Sequence, residues 1–281
     1  MTAEDIENLA QVLKARSGLI LGTDKNYLIE SRLAPVARRE GFATVAALLT
    51  SLRAKRDERL TALVVDSMTT NETFFFRDKT PFDQFKSDVA PALAKSRPGG
   101  EVKIWCAAAS TGQEPYSLAM LMEEITPQYP RLKLDIVATD ISLRCLEKAQ
   151  SGLYTQFEVQ RGLPITMMVK HFEKIDEMWR ISPKIRAAVR FKPFNLLDDL
   201  RSLGRQDVIY CRNVLIYFDL ETKKRVLEQM ASLMPDDGFL FLGAAETVLG
   251  ITDSFKPMPG LRGLYIKNAA AAVRPLRAGA A

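Results

Sequence analysis

Histidine is nearly missing from this chain of 281 residues: His171 stands alone, between Lys170 and Phe172 in what reads as an ordinary helix end. A Ser-His-Asp triad or a histidine-rich metal centre would have to be built around that one ring, which leaves both poor accounts of any activity. Cysteine is scarce too. Cys106, Cys145 and Cys211 are odd in number, far apart and outside any CxxC pair, so neither a disulfide framework nor a zinc site is indicated and a reducing compartment is expected. No apolar run approaches the ~20 residues of a membrane-spanning helix, and the acidic start MTAEDIENLA is unlike a signal peptide. The expectation is a soluble, cytoplasmic protein that needs no metal and does not insert into a membrane.

What is present is apolar content, 47% of residues, enough to bury a core in one large domain or two moderate ones. Two are expected. The net charge of +5 at pH 7 suits an acidic partner, but does not choose between nucleic acid and an anionic protein surface.

The chain turns on VKIWCAAASTGQEPYSLAM, residues 102–120, where an apolar run breaks into small residues and resumes as a helix. Val102, Ile104 and Trp105 suit a buried parallel strand, and Pro115 pre-sets the first helical turn after the permissive Gly112. In an open α/β sheet such a loop lies at the carboxyl end of the first strand, where ligands bind. From Ala107 to Gly112 the loop only loosely imitates a glycine-rich dinucleotide loop, since one glycine remains. Its alanines admit close backbone approach without the wide nest a pyrophosphate demands, and Glu114 would repel a phosphate. The pocket therefore suits a cationic ligand end, such as the ammonium and sulfonium of S-adenosylmethionine; the other reading of Glu114 is a carboxylate that merely favours its helix N-terminus.

Ahead of this stretch, residues 3–68 carry helical spacing and no strand: Ile6, Leu9 and Leu13; Leu28, Ile29, Leu33 and Val36; Val45, Leu48, Leu49 and Leu52; Leu60, Leu63 and Val64. A small helical bundle is predicted, with Gly18, Gly22 and Gly41 as helix stops. Between positions 32 and 59 it gathers Arg32, Arg38, Arg39, Arg53, Lys55, Arg56 and Arg59 against Glu40, Asp57 and Glu58, which is either a solvated face or a docking face. Next, TTNETFFFRD sets three phenylalanines between Asn71, Thr73 and Arg77. If Phe74 to Phe76 are buried, they hold those polar groups rigidly enough to line a site; otherwise they are a hydrophobic plug.

A helix Pro81–Lys95 leads to the first strand. Leu134–Thr139 is a second buried strand ending at Asp140, before a helix from about Ser142 to Gln150. An acidic residue there commonly grips ribose hydroxyls, although Asp140 with Ser142 could also cap the helix. A helix near Glu158–Lys170 and two short alternating pieces, Phe172–Ile175 and Met178–Ile181, then interrupt the α/β alternation and predict a small inserted subdomain. The strand Val189–Phe194 delivers Asn195 and Leu196 to the ligand edge. Asp207–Tyr210 is another strand, followed by the polar crest CRNVLIYFD with Arg212, Asn213 and Tyr217, a helix Leu220–Met234, and strands Phe239–Gly243 and Gly263–Ile266. After Lys267 the run NAAAAVRPLRAGAA has no core pattern and is expected to be disordered.

Taken together, TTNETFFFRD, WCAAASTGQEPYS, ATDIS, FNLL and YCRNVLIYFD, in this order and spacing, make the sequence resemble the chemotaxis receptor methyltransferases, the CheR family, over about residues 5–267. The resemblance implies an α/β fold: a class I SAM-dependent methyltransferase, Rossmann-like sheet over 71–267. That sheet would be mostly parallel with an antiparallel edge strand, carry a β-subdomain at about 170–190, and follow an all-α domain over 1–70. It implies S-adenosylmethionine as cofactor, held by Asn71, Thr73, Arg77, Ala107, Glu114, Asp140, Asn195, Leu196, Arg212 and Asn213. Glu114 would take the methionine ammonium, Asp140 the ribose, and Asn195 with Leu196 the adenine, while Arg77 and Tyr217 would be catalytic. Arg32, Arg38 and Arg39 would meet the methylation helices of bacterial chemoreceptors. Members that tether to a C-terminal receptor peptide carry a longer, glycine-bearing subdomain loop, whereas EKIDEMWRIS has no glycine, so a receptor is expected to bind without that tether.

Such chemistry fits a chain with one histidine. A glutamate acceptor, with an ordinary pKa of ~4.3, is already ionised at neutral pH and needs no general base. Its attack on a sulfonium methyl turns an anion and a cation into an ester and a thioether, so alignment in a dry cleft is the main demand. Two other readings share the fold: a nucleic-acid methyltransferase, which CRNV after the fourth strand disfavours, and a non-catalytic, SAM-sensing signalling module.

Overall fold

The computed structural model describes residues 1–22, 26–54 and 57–268. Most of the expected disordered tail, and Lys55 and Arg56 of the basic cluster, lie outside the described residues.

Helices α1 (Ala3–Ser17), α2 (Asn26–Arg39), α3 (Val45–Ala54) and α4 (Glu58–Met68) pack as a bundle whose core includes Leu9, Leu13, Ile29, Leu33, Leu48 and Val64. A capping box between Thr2 and Asp5 starts α1, and Gly18 ends it in the left-handed region at φ 76°. Gly22 lies beyond that end, outside any helix, so it is no helix stop. The expected helix Pro81–Lys95 runs as α5 (Thr80–Gln84), a π segment (Phe85–Val89) and α6 (Ala90–Ser96). Pro91 lacks an N–H and would crowd a carbonyl one turn back, and the wider π turn relieves that clash.

Then come β1 (Glu101–Ala107), α7 (Gln113–Ile125), β2 (Lys133–Asp140) and α8 (Leu143–Ser151). An insertion follows with β3 (Leu153–Thr155), α9 (Gln156–Gln160), α10 (Ile165–His171), β4 (Phe172–Ile175) and β5 (Met178–Ile181). The chain closes with α11 (Pro183–Ala187), β6 (Val189–Pro193), β7 (Val208–Cys211), α12 (Leu220–Leu233), β8 (Phe239–Leu242), β9 (Phe255–Pro257) and β10 (Leu264–Lys267).

The main sheet has seven strands in the order β6-β2-β1-β7-β8-β10-β9. Its first five strands are parallel, and β10 runs antiparallel to both neighbours. The reversed strand therefore lies one place in from the edge rather than at it. β9 covers it, a three-residue strand too short to show a period and ending in Pro257, a residue suited to an edge. Alternate side chains of β1 and β7 feed two cores: Ile104, Cys106 and Tyr210 on one face, Trp105, Ile209 and Cys211 on the other.

Strands β3, β5 and β4 form a separate antiparallel sheet, turned at Asp176 and Glu177. The helix expected over Glu158–Lys170 is broken into α9 and α10 by Gly162, at φ 82°, and Pro164. Only glycine fits at 162: a Cβ there would stand 2.1 Å from the Phe75 carbonyl oxygen.

Candidate functional site

β1 is flanked by β2 and β7, and the carboxyl ends of all three open on one cleft, where the strand order reverses direction. The cleft, counted together with the open solvent at its mouth, takes up about 930 Å³ and is also lined by Ser17, Leu19 and the linker Thr69–Thr73.

The loop after β1 holds Ala108 at φ 53° and Ser110 at φ 51°, both left-handed, before Gly112 at φ 92°. Gly112 is required for space as well, since a Cβ would lie 2.8 Å from that of Ala149. Asp140 fixes this loop: one carboxylate oxygen accepts from the Ser110 N–H at 2.8 Å and the other from Ser142 N–H at 2.8 Å. Ser142, not Asp140, caps α8. Burial raises the Asp140 pKa, more than those two N–H donors lower it. Ala107 departs from expectation. It is buried in the sheet core, and Ala108, Ala109 and Ser110 line the cleft instead.

Glu114, in the first turn of α7, accepts from Arg212 at 2.8 Å; Arg212 also donates to Asp78 at 2.6 Å and to the Arg77 carbonyl at 2.9 Å. The Arg212 side chain is 2% exposed, so this one guanidinium pins the linker, α7 and the crest after β7 together. Burial pushes the Glu114 carboxyl up and Arg212 only partly offsets it; burial opposes the Arg212 charge, but Glu114 and Asp78 outweigh it and raise its pKa. The Arg212 Nε is buried and has no protein acceptor.

Asn71, Thr73, Arg77, Asn213 and Tyr217 all reach the cleft. Arg77 donates to the Glu72 carbonyl at 2.7 Å, and its guanidinium stands 5.8 Å from the Phe74 ring centre. Behind it Phe75 and Phe76 are buried, Phe75 edge-on to Tyr154 and Phe172. Phe74 is only half-buried, with Arg161 4.4 Å from its ring centre, so two of the three phenylalanines anchor the linker. Leu196 lines the cleft beside Asn195. The Asn195 amide is engaged at both ends: it donates to the Arg16 carbonyl at 2.6 Å and accepts from the Leu197 N–H at 3.0 Å, which ties this wall to the end of α1.

Sequence reasoning missed Glu246. Its carboxylate is buried and accepts from the backbone N–H groups of Asn213, Val214, Leu215, Ile216 and Gly243. It thereby folds the crest that carries Arg212, Asn213 and Tyr217, with Asn213 held at φ 59°. The available signal was a lone carboxylate in the small-residue run GAAET after a wholly apolar strand.

The three basic residues expected at a partner surface separate. Arg38 is exposed and makes no ion pair among the described residues; Arg39 is exposed and reaches Glu40 at 3.3 Å. Arg32 faces inward, donating to the carbonyls of Met68 at 2.5 Å and Thr69 at 3.1 Å and to Thr70 Oγ1 at 2.9 Å. It satisfies the carboxyl end of α4, so its fork is not free for a partner.

A doubly wound sheet with one reversed strand, an acidic end to β2 and a loop hostile to phosphate defines a class I methyltransferase. Residues 4–69 match the CheR methyltransferase all-alpha domain, and residues 71–264 the CheR methyltransferase SAM binding domain. The chain is 39% identical over 256 residues to chemotaxis protein methyltransferase Cher2 of Pseudomonas putida, covering 90% of this chain and 93% of that one. It is 40% identical over 256 residues to the chemotaxis protein methyltransferase of Vibrio parahaemolyticus, covering 90% and 92%. Chemotaxis protein methyltransferase 1 of Pseudomonas aeruginosa is 39% identical over 256 residues, with 90% and 93% covered. The chain belongs to the CheR methyltransferase family, and its cofactor is S-adenosylmethionine.

The residues present fit that group. Glu114 and Asp140 put two carboxylates on the cleft, suited to an ammonium and to a pair of hydroxyls.

Proposed function

We propose that the chain esterifies glutamate side chains on the cytoplasmic methylation helices of bacterial chemoreceptors, acting in the cytoplasm. One observation carries the choice of acceptor. Among the described residues, every carboxylate lining the cleft is already engaged: Glu72 by Arg161, Glu114 by Arg212, and Asp140 by two backbone N–H groups. His171, the single histidine, lies on α10 outside the cleft lining. An amine or hydroxyl acceptor would need a base to take its proton; a glutamate arrives ionised.

S-adenosylmethionine supplies a methyl group on a positively charged sulfur. Glu114 holds the ammonium end and Asp140 the ribose hydroxyls, while Leu196 and its neighbours flank the base. Arg77, the half-buried cation of the cleft, receives the acceptor carboxylate in its planar fork. Tyr217 bounds the same space and limits how the acceptor can approach. Asn71 and Thr73 are carried to the site by the anchored linker, and the Asn71 carbonyl accepts from Ser110 Oγ at 2.7 Å, which joins the two cofactor walls. Exposed Arg38 and Arg39 on α2 supply charge that attracts an acidic receptor helix. The two-residue turn at Asp176 and Glu177 supports recognition without a C-terminal peptide tether.

Incubation with methyl-labelled cofactor and soluble receptor cytoplasmic fragments tests the assignment. Label released as methanol by mild base is the expected result. Base-stable label, or label appearing on RNA instead, would refute glutamate ester formation.

A further inference from the structure

We infer that Arg32, although it belongs to the helical bundle, is a positioning residue of the cofactor site. The inference rests on the cleft being the seat of S-adenosylmethionine. Arg32 projects from α2 onto the Met68 carbonyl that ends α4, the Thr69 carbonyl just beyond it, and Thr70 Oγ1. A cation at a helix carboxyl terminus meets the negative end of its dipole, and a forked guanidinium can take several acceptors in a fixed geometry. Its acceptors are the start of the cleft wall. Thr69 and Thr70 line the cleft, and the next residue, Asn71, is bonded through its carbonyl to Ser110 on the opposite loop.

The chain between α4 and the buried Phe75 is short and has no regular structure of its own. It is fixed at one end by Phe75 and Phe76, where the Phe76 N–H donates to Ser117 Oγ at 2.9 Å, and at the other by Arg32. Between these two anchors stand Asn71 and Thr73. Without the Arg32 fork the wall would be held at one end only, and a bound ligand would have to order it at a cost in affinity. Arg38, one face away on the same helix and exposed, has no such contact and serves as the contrast.

The test measures binding of S-adenosylhomocysteine by calorimetry, the Michaelis constant for a receptor cytoplasmic fragment, and the urea midpoint, in wild type, Arg32→Met, Arg32→Lys and Arg38→Ala. Arg32→Met should weaken S-adenosylhomocysteine about tenfold, the scale of a lost charge-assisted hydrogen bond. Its Michaelis constant for the receptor fragment should stay within about twofold of wild type, and Arg32→Lys should recover part of the ligand affinity. Arg38→Ala should leave ligand affinity unchanged. Wild-type ligand affinity in Arg32→Met with a raised receptor Michaelis constant would overturn the inference and return Arg32 to the partner surface. Should Arg32→Met fail to fold, Arg32→Lys decides: affinity weakened about threefold supports the inference, wild-type affinity overturns it. Failure of the wild type to bind S-adenosylhomocysteine would sink the cofactor reading itself, a result distinct from any of these.

Discussion

Arg77 is tied at one nitrogen to the Glu72 carbonyl and flanked by the Phe74 ring, which leaves the rest of its fork for a carboxylate. Removing it should hurt the aligned reaction more than the resting complex. Arg77→Ala is expected to slow methyl transfer about a hundredfold while leaving S-adenosylhomocysteine affinity within about threefold; parallel losses in calorimetry and single-turnover rate would remove Arg77 from the reacting centre. Glu114 allows a second test. Its pKa is raised by burial, so it takes up a proton at a higher pH than an ordinary glutamate of ~4.3, and the protonated form loses its attraction for an ammonium. Affinity for S-adenosylhomocysteine should therefore fall on acidification from above that ordinary range, and Glu114→Gln should be weaker at neutral pH but flat across the same window. A wild-type curve as flat as that of the variant would contradict the role given to Glu114.

Elements differ in how plainly they could be foreseen. β1, β2 and β7 announce themselves as short apolar runs between turn residues, and the polar groups at their carboxyl ends, Glu114 just beyond β1 and its loop, Asp140, Arg212 and Asn213, follow from the strand positions. β9 could not be seen, because three residues show no period, and the breakage of the helix across Gly162 depends on the Phe75 carbonyl, a contact absent from local sequence. Ala107 failed by one residue: a strand that ends in alanines does not say which of them turns out of the sheet. Glu246 was illegible for a related reason, since most of the N–H groups that donate to it lie some thirty residues earlier, between 213 and 216. At this scale the expected outcome concerns the crest. Glu246→Ala strands five backbone donors and should lower stability by about 2–4 kcal/mol together with the turnover number. Gly243→Ala should reproduce part of that lesion, because its Cβ would stand 2.7 Å from the Glu246 carboxylate and 2.9 Å from the Asn213 nitrogen. Urea midpoints and steady-state rates would check both, and a silent Glu246→Ala would show that the crest folds without it.

For the molecule as a whole, the bundle and the sheet are joined beside the cleft. Lys14 of α1 pairs with Asp219 at 2.7 Å, the Ile20 N–H donates to the Tyr217 carbonyl at 2.9 Å, and a Cβ at Gly18 would press on the Phe218 ring. Asp219 also caps α12 by accepting from the Thr222 N–H. The Lys14 ammonium, with Thr222, holds the Asp219 pKa far below the ordinary carboxylate range. A depressed folded pKa contributes stability above the unfolded value of ~3.9 and loses it as pH falls below that point. Asp219→Asn keeps a capping oxygen and loses the ion pair, so its deficit in urea midpoint should be present at pH 7 and shrink below pH ~4. A deficit unchanged at acid pH would mean that the pair does not join the two parts.

The cleft draws its lining from positions as early as Ser17 and as late as Phe218, and its crest is shaped by Glu246. A nascent chain leaving the ribosome therefore exposes the bundle first, yet has nowhere to seat the nucleoside until nearly all of the polypeptide has emerged. Whatever protection the methyl donor lends against unfolding and proteolysis comes to the finished product alone, and a product truncated before that carboxylate gains none of it.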